Sequence, residues 1–236
     1  MFEVRNIAFT YRRKPVLRDV SFVVSPGETV CILGANGAGK TTLLRVLATL
    51  SVPDAGMVLS DGRDAFKESL DYRRKLGYLP ETIGLYDDMT VKEYLNYRAN
   101  LKGEPKKRIR RRVDEAVEAC RMTDLLRTPI RDLSLGYRKR VALADALLLR
   151  PRVLLLDDFL AGLDYGMRKA AGEILSDAAA FSSVIVTGHE PEDLAPWTTR
   201  FLVLKEGVIA ATIDAAGIEP ATLRSRLDDA LGGASA

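Results

Sequence analysis

Gly34-Ala35-Asn36-Gly37-Ala38-Gly39-Lys40-Thr41 fits the pattern G-x-x-x-x-G-K-[ST], a loop that cradles phosphate with its backbone. The run before it, Glu28-Thr29-Val30-Cys31-Ile32-Leu33, is apolar and rich in strand formers, and the run after it, Thr42-Leu43-Leu44-Arg45-Val46-Leu47-Ala48, suits a helix. The octet therefore sits in the strand–loop–helix setting that its chemistry requires. Glycines at 34, 37 and 39 open backbone conformations closed to other residues, so successive N–H groups can turn inward. The loop empties into a helix N-terminus, where unpaired N–H groups and the helix dipole favour an anion. Lys40 adds a point charge for the outer phosphates, and the Thr41 hydroxyl is a hard oxygen donor suited to Mg2+. The phosphate-binding set read from the sequence is Gly34, Asn36, Gly37, Ala38, Gly39, Lys40, Thr41 and Thr42.

Around that loop the chain has the composition of a globular protein: 236 residues, 47% hydrophobic and 28% charged. That is enough for one large α/β domain or a core with an inserted lobe. The net charge of +3, from 35 basic and 32 acidic side chains, is small and spread along the chain, and gives no strong argument for nucleic acid; none is expected as a partner. The two cysteines, Cys31 and Cys120, lack metal-ligand spacing; Cys31 in its apolar strand reads as a core residue, and the low count fits a reducing compartment. The start, Met1-Phe2-Glu3-Val4, carries no signal-peptide pattern, and Asp145, Arg150, Arg152 and Asp157 break up the most apolar region well short of the roughly 18 residues a membrane span needs.

Residues 1–30 read as short alternating strands with turns at Arg12–Pro15 and Ser25–Gly27. A hairpin is expected around Ser60-Asp61-Gly62 and a strand at Leu76–Leu79. From about residue 84 to 150 the pattern turns helical. Thr90-Val91-Lys92-Glu93 is a capping box, and the basic run Lys106–Arg112 opens the next helix, either as a solvated face or as a contact for anionic lipid headgroups. Continuous apolar runs at Val153–Leu156, Ser183–Val186 and Phe201–Leu204 suit a parallel sheet buried on both faces. The end, Gly232–Ala236, is expected to fray.

Two further segments carry chemistry. Val153-Leu154-Leu155-Leu156-Asp157-Asp158 is an apolar strand ending in two carboxylates; downstream of a phosphate loop, the first acid helps hold the metal and the next can orient an attacking water. Leu133-Ser134-Leu135-Gly136-Tyr137 precedes a long amphipathic run, Tyr137–Leu149, for which Ser134 is a natural N-cap. Ser134 and Gly136 would make a second anion site at a helix N-terminus. A head-to-tail pair of chains needs two such sites per nucleotide.

The stretch Leu133-Ser134-Leu135-Gly136-Tyr137-Arg138-Lys139-Arg140-Val141-Ala142-Leu143-Ala144 resembles the signature motif of ATP-binding cassette (ABC) proteins, with Leu135 and Tyr137 where Gly and Gln are commonest. The resemblance covers residues 1–215 and holds the family's elements in order. It implies a P-loop NTPase core with an N-terminal antiparallel β subdomain and an inserted α-helical subdomain: core 1–83 and 151–215, insert 84–150, and a short C-terminal helix and tail over 216–236. On this resemblance Tyr11 stacks on adenine, Glu81 in Tyr78-Leu79-Pro80-Glu81 contacts Mg2+ and signals to the membrane partner, Asp164 in Ala161-Gly162-Leu163-Asp164 crosses the dimer interface, and His189 in Thr187-Gly188-His189 contacts the γ-phosphate. The metal set would be Thr41, Asp157 and Glu81, and the catalytic set Asp158, His189, Lys40 and Glu81.

Working positions depart from the family pattern. Asp158 replaces the usual glutamate and leaves the carboxylate about 1.5 Å short; an error of about 1 Å in a reacting geometry can cost roughly 10²-fold in rate. Phe159 replaces the proline that usually follows. Glu81 stands where glutamine is commonest, and with Gly84–Val91 it resembles the exporter-type branch serving drugs, lipids, sodium and polysaccharides. The expectation is an ATP-hydrolysing subunit that pairs with a second cassette around ATP and drives membrane permease subunits carried on separate chains, peripheral on the cytoplasmic face of the cell membrane. Against it stand an ATP-gated clamp with slow hydrolysis, supported by Asp158, and the ABC ATPases of DNA repair or translation, which carry coiled-coil insertions or tandem cassettes that are missing here.

Overall fold

Runs of branched and aliphatic residues form the middle of a single sheet. The computed structural model describes residues 1–215 and 218–232. In it β3 (Thr29–Leu33), β6 (Leu76–Leu79), β7 (Val153–Leu156), β8 (Ser183–Thr187) and β9 (Arg200–Lys205) run parallel, and β10 (Val208–Asp214) closes one edge antiparallel, in the order β10-β9-β3-β8-β7-β6. Side chains alternate between two separate cores, as a two-residue period requires. Val30, Ile32, Val153, Leu155, Ile185, Leu202 and Leu204 face one; Cys31, Leu33, Leu154, Leu156, Val184, Val186, Phe201 and Val203 face the other.

The first core is closed by α1 (Lys40–Leu47), α2 (Ser69–Arg74) and a second, antiparallel sheet of β1 (Phe2–Tyr11), β2 (Lys14–Val24), β4 (Ala55–Ser60) and β5 (Arg63–Asp64), ordered β2-β1-β4-β5. β1 and β2 are long rather than the short strands expected over 1–30. Register irregularities after Val4, Ile7 and Phe9 bend the pair, so one ribbon follows the curve of the core. At one bend Asn6 and Asp19 both adopt positive φ, and Asn6 Nδ2 donates to Asp19 Oδ1 at 2.6 Å. The tip turns through Arg12 and Arg13, both left-handed.

The second core is closed by helices. α3 (Val91–Leu101), α4 (Lys106–Ala119) and α5 (Leu135–Leu147) lie between β6 and β7 in sequence, and α6 (Tyr165–Ala179), α7 (Pro191–Leu194) and α8 (Pro220–Leu231) follow β7. The capping box at Thr90 is formed from both sides: the Glu93 N–H donates to Thr90 Oγ1 and the Thr90 N–H to Glu93 Oε2. α5 starts at Leu135 and ends at Leu147, two residues ahead of the expected bounds at each end. The reason is local: Ser134 has extended backbone, so the next residue is the first helical one. Near its other end α5 lies directly on β6. A Cβ at Gly77 would stand 2.5 Å from the Ala146 carbonyl oxygen, so only glycine permits that approach.

In α4, Lys106, Lys107, Arg108, Arg110 and Arg111 are exposed, and Arg110 and Arg111 approach Asp114 and Glu115 one turn on, which is a solvated face. Among the described residues no helix is long and apolar enough to cross a membrane. The fraying expected over 232–236 lies, beyond Gly232, outside the described residues.

One polar group is built into the helical core. Asp145 on α5 is 7% exposed; Arg98 Nε donates to its Oδ2 at 2.9 Å, and Lys102 Nζ lies 2.8 Å from Oδ1. It ties α3 to α5, and burial pulls the Lys102 ammonium below its ordinary value while Asp145 opposes the shift. Asp145→Ala would strand two partly buried cations and is expected to lower unfolding free energy by about 3 kcal/mol. An unchanged urea midpoint would contradict this account.

Candidate functional site

The site forms where β3, β7 and β8 end together. β3 delivers the loop 34–39 into α1. Gly39 is the N-cap, left-handed at φ 108°, and no side chain occupies the helix N-terminus. The N–H groups of the first turn are therefore free for a ligand. Lys40, 8% exposed, folds back over the loop and donates to the carbonyls of Gly34 at 2.6 Å and Ala35 at 3.2 Å. Burial holds its ammonium below the ordinary lysine value; the carboxylates of Asp158, Asp157 and Glu81 oppose that shift.

β7 delivers the acids. Asp157 is 2% exposed, and its Oδ1 accepts from Thr187 Oγ1 at 2.8 Å and from Thr41 Oγ1 at 3.3 Å. Its Oδ2 is buried with no hydrogen-bond partner. A buried carboxylate oxygen without a protein hydrogen-bond partner, beside a hydroxyl, is the donor set that a hard divalent cation accepts. These residues fit Mg2+: Thr41 and Asp157 would hold it, with Glu81 exposed on the rim of the same cavity.

Asp158 turns away from its neighbour because its backbone is left-handed, φ 45°. Its N–H donates to Thr187 Oγ1 at 2.9 Å, and its Oδ2 lies 4.0 Å from His189 Nε2. Thr187 thus fixes both acids at once, accepting from the backbone of one and donating to the side chain of the other. The sequence placed Thr187 in a motif without giving it a role; its signal was a hydroxyl at the last position of a buried strand, two residues before the histidine. Lys40, Thr41, Thr42, Glu81, Asp157, Asp158 and His189 line one cavity of about 260 Å³, with Asn36, Gly37 and Gly39. Val16 also lines it, a contact that a hydrophobic residue in a hairpin strand did not announce.

Other expected residues lie elsewhere. Tyr11 is 58% exposed at the hairpin tip with the Arg12 guanidinium 5.5 Å from its ring centre, outside the cavity wall. Ser134 caps α5 by position only: its side chain makes no capping bond and is exposed. Gly136 packs against Met167. Asp164 is the N-cap of α6, its Oδ1 accepting from the Met167 N–H at 2.8 Å. The chain holds the phosphate loop, acids and histidine in one place, and the serine-bearing helix N-terminus in another.

The family model described as "ABC transporter" matches residues 17–161. Similar curated proteins include the sulfate/thiosulfate import ATP-binding protein CysA of Synechococcus elongatus, 33% identical over 88% of this chain and 60% of that protein. The spermidine/putrescine import ATP-binding protein PotA of Haemophilus influenzae is 31% identical over 89% of this chain and 57% of its own length. The chain therefore spans about 60% of the length of these relatives. Among solved structures, an ATP-binding subunit of an ABC transporter superposes with a TM-score of 0.84 at 27% identity, covering 96% of this chain and 99% of that one. The cbiO1 protein of Clostridium perfringens, part of the transporter complex cbiONQ, gives 0.84 at 25% identity, covering 96% and 91%. The fold is the ABC ATPase fold, and the chain belongs to the ABC transporter family as its ATP-binding domain.

Proposed function

We propose that the chain hydrolyses ATP as one of two cassettes closing on the nucleotide, and that closure drives membrane permease subunits on other chains. The observation that carries this reading is the arrangement around Asp157: a buried, unpaired oxygen beside Thr41, next to a helix N-terminus that no side chain caps. In this reading the loop and Lys40 hold the β- and γ-phosphates. Thr41 and Asp157 would hold Mg2+, which would supply charge neutralisation for phosphoryl transfer. Asp158 accepts a hydrogen bond from the attacking water and orients it, and His189, its neighbour in the cavity, contacts the γ-phosphate. Ser134, exposed, and the half-buried Gly136, both away from this chain's own cavity, close the site of a second copy, with Asp164 near the boundary; Tyr11 at its hairpin tip stacks on the base. The division into core, 1–83 with 151–215, and helical insert, 84–150, belongs to the same reading. So do the permease docking near Glu81 and the peripheral cytoplasmic location, with no role for nucleic acid.

Direction of transport rests on the Tyr78–Glu81 and Gly84–Val91 segments, whose resemblance to exporters supports export; the two curated relatives above are named for import and weigh against it. A second reading, a slow ATP-gated clamp, rests on Asp158 standing where glutamate is usual, and the similarity to transporter ATP-binding proteins weighs against it.

Lys40→Ala is expected to weaken binding of a fluorescent ATP analogue about 10- to 100-fold, the range for loss of a charged hydrogen bond. Asp158→Asn should retain binding, cut turnover at least about 10²-fold, and accumulate a dimer with ATP; light scattering that shows only monomer would argue against the paired-cassette reading. Asp158→Glu distinguishes transporter from clamp: a wild type of robust turnover that the longer acid leaves unchanged excludes the clamp.

A further inference from the structure

Lys139 is a buried cation with no part in the chemistry above. It sits on α5, five residues past Ser134, and is 8% exposed. Its Nζ donates to the carbonyl of Phe159 at 3.0 Å and to that of Ala161. Both acceptors belong to the loop that leaves Asp158. The same loop touches α5 again at its start: a Cβ added to Gly162 would stand 3.3 Å from Leu135 Cδ2. From the other side, Arg168 Nε on α6 donates to the Leu163 carbonyl at 2.8 Å, while its Nη1 pairs with Asp193, four residues past His189. The loop 158–163 is therefore gripped by one cation from the serine-bearing helix and by another that reaches the histidine segment.

We infer that Lys139 is a positioning residue joining the two half-sites of one chain: by holding the Phe159 and Ala161 carbonyls, it makes the placement of Asp158 follow that of Ser134. The inference rests on the reading in which Ser134 meets the nucleotide of a second copy. A buried ammonium is costly unless its protons find acceptors, and an apolar side chain of similar length would fill the space without that cost. What methionine cannot do is bond two carbonyls of the loop, whose middle is otherwise held by the short turns from Ala161 to Asp158 and from Leu163 to Leu160. Lys139 also feels the negative charge of Asp158 and of Glu81, which opposes the lowering that burial imposes on its ammonium. When the second copy's phosphate pulls on the N-terminus of α5, the displacement reaches Phe159 through one side chain. Asp158 is the adjacent residue.

The test compares Lys139→Met and Lys139→Arg with wild type in the full chain, reading binding of a fluorescent ATP analogue, melting temperature, steady-state hydrolysis against ATP concentration, and hydrogen exchange at 160–163. Lys139→Met is expected to bind nucleotide within about twofold of wild type and keep KM while kcat falls about tenfold or more. Exchange at 160–163 should quicken while the 34–39 loop stays as it was. Lys139→Arg, which retains donors, should recover most of kcat. A Lys139→Met chain with wild-type kcat and wild-type exchange overturns the inference. So does one in which melting temperature, binding and kcat fall together without rescue by arginine, which marks a mere structural prop. If wild type itself shows no turnover, the functional reading fails, and exchange decides the strut alone: unchanged protection at 160–163 refutes it, and faster exchange confined there sustains it.

Discussion

A sheet covered on both faces can meet water only along its strand ends. β3, β7 and β8 are wholly buried in their runs, and the polar residues that each strand must finish on come out side by side. The phosphate loop follows β3, the paired acids follow β7, and Thr187 with His189 follows β8. Parallel pairing sets their heights: Leu156 is level with Val186, and Ile32 with Thr187. Residues far apart in the chain are thereby brought within hydrogen-bonding distance at no further cost in chain entropy, since the hydrophobic sheet has already aligned them.

Thr187 shows how that alignment becomes chemistry. Its hydroxyl spends its proton on Asp157 and its lone pair on the Asp158 N–H. The first bond engages Oδ1 of Asp157 and Oδ2 is buried without a partner; the second joins the left-handed backbone of Asp158, whose Oδ2 lies 4.0 Å from His189 Nε2. Two adjacent acids thus acquire different partners and different surroundings, as the division of labour proposed for them requires.

Much of this was legible beforehand. Glycine spacing announced the loop, β-branched and leucine runs announced the central strands, and Thr90 with Glu93 announced a helix start. What stayed hidden was the direction of individual side chains. Asp145 reads as an interruption of an apolar run, yet it lies inside the helical core because Arg98 and Lys102 come from another helix to meet it. Lys139, between two arginines, has the look of a solvated face, and the helical period alone turns it inward. Thr187 lies 30 residues from the aspartate it serves. The long, bent strands β1 and β2 depend on left-handed Asn6 and Asp19, residue types that more often mark turns. Local pattern fixes elements; pairing between distant side chains needs the third dimension.

The contact of α5 with β6 at Gly77 has a mechanical reading. Ala146 rests on the strand there, and Ser134 is at the opposite end of a helix of 13 residues, about 20 Å away at 1.5 Å per residue. The glycine is a fulcrum and the helix a lever arm, so each degree of tilt about that point carries the serine through about 0.3 Å. In the paired-cassette reading, rocking of a few degrees would be enough for Ser134 to engage or release a phosphate oxygen, and β6, on which the fulcrum sits, leads directly to Glu81.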